Sequence, residues 1–79
     1  MALYTYDEQV DVLYVLLAAE PEANIERTVE VGERLHVDLA PDGSVVGVEI
    51  LYPKGGEVDL APLKDRYQVE IQIPFNFAA

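Results

Sequence analysis

The alternation of apolar and polar residues on either side of Pro41, Asp42 and Gly43 constrains this chain more than any other feature. Successive side chains of a strand face opposite ways, so a slip of one residue turns an apolar face to water. Leu35, Val37 and Leu39 must therefore share a face with Val46, Val48 and Ile50. A four-residue loop over 41–44 achieves this by pairing Ala40 with Val45, Leu39 with Val46, Asp38 with Gly47 and His36 with Glu49. A five-residue loop would set Glu49 opposite Leu35. Proline suits the first corner of a type I turn, Asp42 can bond nearby amides, and Gly43 accepts the positive φ that exits such loops. The same parity rule, applied across Gly32, Glu33 and Arg34, pairs Val31 with Leu35 and Glu30 with His36. His36 then lies between two glutamates.

The rest of the chain also reads mostly at a period of two. A first strand over 2–6, a polar bend of Asp7, Glu8 and Gln9, and a second strand over 12–18 make a hairpin. The second strand is apolar on both faces, Leu13, Val15 and Leu17 on one and Val12, Tyr14 and Leu16 on the other, which suits a central position with both faces covered. After a loop over 20–24, Glu26, Thr28 and Glu30 alternate with Arg27, Val29 and Val31 in a strand with one wet face. Pro53, Lys54, Gly55 and Gly56 end the fifth strand. Leu60, Leu63 and Tyr67 then follow at helical spacing, with Asp59 ahead and Pro62 in the first turn. Val69, Ile71, Ile73 and Phe75 against Gln68, Glu70 and Gln72 predict a last strand, with Pro74 near its exposed end. The expected fold is mainly β within the α+β class. It is a curled antiparallel sheet or half barrel of about six short strands, with one short helix before the last strand, in a single domain over 1–79.

Composition narrows the partners. Five basic against fifteen acidic residues give 5 − 15 = −10, a balance that repels phosphate backbones and argues against direct nucleic-acid binding. A hydrophobic share of 51% is too high for a disordered acidic tail, so a globular chain is expected. So short a chain hides only roughly 60% of its unfolded surface, which makes a homodimer the expected state. With no cysteine there is no disulfide, thiolate metal site or thiol nucleophile. The longest apolar run, over 12–19, has eight residues, against about twenty for a membrane span. Asp7, Glu8 and Asp11 precede it where a secretory signal would carry Lys or Arg, so a cytoplasmic, membrane-free protein is expected.

Few residues suggest chemistry. His36 is the only histidine, and histidine alone titrates near neutrality in its unperturbed state. Between Glu30 and Glu49 it reads first as a cross-strand ion pair, and second as an acid–base or metal-dependent centre with those carboxylates and Asp38. Asp7, Glu8 and Asp11 could attract calcium or magnesium, but their spacing departs from the twelve-residue calcium loop, and an ordinary solvated turn is expected. Thr5, Thr28 and Ser44 have no base placed for nucleophilic attack, and the five glycines form no phosphate-cradling motif. No cofactor is expected. The tyrosines, Tyr14 among them, could line a pocket or an interface, yet are normal residues of half-buried strands.

Tyr6 and Asp7, then Asp11, then Leu13, Tyr14 and Val15, followed by Val37 and Asp38, Asp42 and Gly43, and Val46 through Ile50, resemble a small bacterial family called domain of unknown function 2283. The resemblance runs from about Leu3 to Leu51. It departs at Val48, where isoleucine is usual, and at Val12, where alanine is usual. The family implies no activity, and it implies an antitoxin-like partner of a small basic protein. The motif residues also have folding roles: Asp11 capping the bend, Asp42 and Gly43 setting the register, and Gly47 clearing space opposite Asp38. If Gly47 instead admits a partner backbone toward Asp38 and Glu49, the same residues form a docking surface. The expected function is a small acidic, non-enzymatic interaction module using Asp7, Asp11, Tyr14, Glu30, His36, Asp38, Gly47 and Glu49. The alternative is an enzyme built on His36 and its carboxylates.

Overall fold

The structure, a computed structural model, describes residues 3–18 and 24–73 of the 79. Its strands are β1 (Leu3–Asp7), β2 (Val12–Leu16), β3 (Arg27–Gly32), β4 (Leu35–Leu39) and β5 (Val45–Leu51). A turn of 3-10 helix, Pro53–Gly55, and the helix α1, Ala61–Tyr67, follow. All pairings are antiparallel and the order is β1-β2-β5-β4-β3, so three hairpin connections are joined by the packing of β2 against β5. Among the described residues the sheet is open, with β1 and β3 as its edges.

One face of the sheet makes the core. Leu13 and Val15 of β2, Val31 of β3, Leu35, Val37 and Leu39 of β4, and Val48 and Ile50 of β5 form one buried cluster with Leu63 of α1. Helix α1 begins as its sequence dictates, with Pro62 in the first turn and the Ala61 amide donating to Asp59 Oδ1 at 3.0 Å. It ends where Gln68 turns left-handed at φ 55° and the Val69 amide reaches back to the Leu63 carbonyl. Leu63 has no exposed surface, and replacing such a leucine with alanine costs about 2–5 kcal/mol.

The paired registers of His36 with Glu49, Asp38 with Gly47 and Glu30 with His36 are those the alternation requires. Two bulges correct the neighbouring pairs. Leu39 faces Val45 instead of Val46, because Val46 is an extra residue in β5, buried but outside the main core cluster. Gly32, instead of Val31, faces Leu35, because Val31 is extra in β3 and the connection tightens to Glu33 and Arg34. Strand β2 ends at Leu16 rather than at 18, since the amides of Leu17 and Ala18 both turn to the Val46 carbonyl.

The expected sixth strand is the largest difference. Val69, Ile71 and Ile73 do pack against the core while Gln68, Glu70 and Gln72 are exposed, but among the described residues this stretch joins no ladder. Pro74 and Phe75 lie outside the described residues, as does most of the 20–24 loop. The described sheet therefore has five strands where about six were expected, and it is not closed. No helix among the described residues is long and apolar enough to cross a membrane.

Candidate functional site

The face of the sheet opposite the core carries the candidate residues in two rows. The first row runs straight across three strands, since Glu30 of β3, His36 of β4 and Glu49 of β5 are register partners. His36 Nδ1 lies 3.2 Å from Glu49 Oε1, and Nε2 lies 3.9 Å from Glu30 Oε2. The His36 side chain is 26% exposed and those of Glu49 and Glu30 are 40% and 68% exposed, so the row opens to solvent at its β3 end.

The second row lies two residues along and spans four strands. Tyr14 of β2 is the register partner of Glu49, but its side chain leans diagonally over Gly47 of β5 to reach β4. Its hydroxyl donates to Asp38 Oδ2 at 2.8 Å, and the Thr28 hydroxyl of β3 donates to Asp38 Oδ1. Any Cβ at position 47 would overlap the Tyr14 hydroxyl and ring. Gly47 thus does clear space opposite Asp38, and the occupant of that space is Tyr14. Burial, then the bond to Asp38, then the charges of Asp38 and Glu49 push the Tyr14 phenol well above its ordinary range.

Asp7 and Asp11 stand apart from both rows. Asp7 Oδ1 accepts the Gln9 amide at 3.0 Å, an Asx turn, and Asp11 sits at φ 54° with Oδ1 accepting the Tyr6 hydroxyl at 2.7 Å. Partial desolvation, that bond and the nearby charges of Asp11, Glu8 and Asp7 push the Tyr6 phenol up to about 12. The Asp11 carbonyl also receives the Tyr52 amide, so this bend is tied to the end of β5. Among the described residues, no group of three His, Cys, Asp or Glu side chains is placed to hold a metal ion.

Two participants had no place among the sequence candidates. Thr28 reads from the sequence as a wet-face residue and as a hydroxyl with no base placed for it, and its bond to Asp38 shows it to be the β3 end of the second row. Arg34 reads only as a turn residue, yet its guanidinium donates to the carbonyls of Leu51, Tyr52 and Gly56, which fastens the β3-β4 turn to the 3-10 turn. No sequence signal links Arg34 to the distant segment it holds, since Gly55 and Gly56 lie more than twenty residues along the chain.

Chemically, the face is a set of carboxylate oxygens, those of Asp38 held by two hydroxyls and those of Glu30 and Glu49 facing solvent. A general base needs one ring nitrogen for its orienting partner and another for substrate, whereas both nitrogens of His36 are turned toward carboxylates. The clefts lined by Tyr4 and Ile71, by Arg34 and Pro62, and by Leu17 and Tyr67 do not include His36 or its glutamates.

Residues 3–52 match the family described as protein of unknown function, DUF2283. The matched span takes in all five strands and both rows. The chain belongs to this family. The DUF2283 span stops at Tyr52, so the 3-10 turn, α1 and the extended stretch after it lie beyond it. Comparison with curated proteins and with solved structures returned no match.

Proposed function

We propose that this protein is a small acidic, non-enzymatic interaction module, antitoxin-like in that it holds a basic protein partner, and that it works as a homodimer in the cytoplasm. The observation that carries this reading is the row of Glu30, His36 and Glu49, which sets a carboxylate on either side of a histidine on an open sheet face. Two solvent-facing carboxylates can meet Lys or Arg side chains, and a net charge of −10 steers a cationic partner toward them. The second row supports the same reading by keeping Asp38 and its neighbours rigid.

Affinity capture from the native host at low and at raised salt tests it, using the natural chain beside a Glu30→Lys, Glu49→Lys double variant. The expected result is a basic protein held at low salt, released by salt, and bound about tenfold more weakly by the double variant. Capture that ignores both salt and the charge reversal sinks the reading.

A further inference from the structure

The two edges of the sheet are built differently. Strand β3 carries Arg27 and Glu30 and is interrupted by the bulge at Val31, devices that stop an edge from pairing with another chain. Strand β1, Leu-Tyr-Thr-Tyr-Asp, has no bulge, no proline and no charge before Asp7. Leu3 and Tyr4 on it are 60% and 37% exposed. Beside β1, on the core side of the sheet, the apolar Tyr4, Leu60, Val69 and Ile71 and the polar Lys64, Glu70 and Gln72 line a cleft of about 590 Å³. The described residues therefore leave an open, half-polar gap between sheet and helix at this edge.

We infer that β1 pairs antiparallel with β1 of a second copy about a two-fold axis at Thr5, joining the two sheets into one. This deepens the self-association part of the proposed function and rests on it. The strand is self-complementary in that register: Tyr4 meets the partner's Tyr6, Thr5 meets the partner's Thr5, and Leu3 meets the partner's Asp7. Aromatic cross-strand pairs are favourable, and the two aspartates fall at opposite ends of the ladder, so no carboxylates face each other across it. Tyr4 and Tyr6 pair with Val15 and Leu13 and so share the core face. The same residues of an added strand continue that face into the cleft, which gives the cleft an occupant. A two-fold axis closes the assembly at two copies.

Thr5 is exposed, so substitutions there leave the subunit folded. Mass-resolved chromatography across a dilution series is expected to show a dimer for the natural chain. Thr5→Lys, which sets like charges opposite each other, is expected to weaken it roughly fivefold, as is Thr5→Glu. Mixing the two variants is expected to restore it. The chain has no cysteine, so Thr5→Cys under mild oxidation is expected to give a disulfide-linked dimer, while Arg27→Cys on the other edge does not. A natural chain that is a monomer throughout, as it would be if its own residues 74–79 took this edge, overturns the inference and the self-association reading together. A dimer indifferent to both charged variants, or one that fails to cross-link through Thr5→Cys, overturns the inference and leaves that reading standing.

Discussion

Tyr14 lies across Gly47 and hydrogen-bonds Asp38, so a residue of β2 is joined to one of β4 over the strand between them. The strand between can be crossed only because position 47 has no side chain. A methyl group there must drive the phenol off Asp38. Gly47→Ala is expected to cost about 1–3 kcal/mol in urea denaturation, through overpacking and the lost bond. In a Tyr14→Ala background the same change is expected to be nearly neutral. Additive effects across the four proteins would contradict the contact.

The raised Tyr14 phenol makes an alkaline prediction. Its folded state holds the proton over a range in which an unfolded tyrosine has lost it, so its contribution is complete below the ordinary phenol value of about 10 and is lost as pH rises beyond it. Phenolate absorbance should show Tyr14 among the last of the five tyrosines to ionise. Tyr14→Phe should flatten the loss of stability above that pH. An unchanged alkaline limb in Tyr14→Phe would refute this.

On the acid side the turn residue Asp42 behaves oppositely. The Ser44 hydroxyl and amide hold its carboxyl below the usual range, with bonds of 2.6 Å and 2.9 Å to Oδ1. The unfolded chain then binds the proton more readily, so this stabilisation is present above the ordinary carboxylate value and disappears as pH falls through the lowered one. The stability gap between the natural chain and Asp42→Ala is expected to be widest near neutrality and to narrow on acidification, as followed by thermal melts at several pH values.

Arg34 supplies a test of the turn that fastens the end of β5. Its fork reaches three carbonyls, which a single ammonium cannot reproduce. Arg34→Lys is expected to cost about 1–2 kcal/mol and to speed amide exchange at Gly55, whose amide bonds the Tyr52 carbonyl. Exchange at the unchanged rate would show that the clamp does not hold the turn.

What the sequence made legible follows from what alternation encodes. It encodes parity, and parity alone was enough to set His36 beside Glu30 and Glu49. It is silent about an extra residue wherever neighbours are interchangeable. Val45 and Val46 both satisfy an apolar position, and Gly32 satisfies either face, so both bulges passed unseen. The Tyr14 bond joins residues 24 apart over an intervening strand, and only a glycine inside an apolar strand hinted at it. At the C-terminal end the dry face of Val69, Ile71 and Ile73 was legible, because side-chain burial leaves a pattern. The absence of a ladder partner leaves none.

In the proposed pairing of two copies, the bulge at Val31 would limit further growth. A ribbon that can be extended at both rims polymerises into fibres, whereas one rim kinked and charged, as at β3, leaves a single place to add. With β1 paired as proposed, side-by-side addition would stop after one step, because the remaining rim offers no straight, uncharged edge to a third copy.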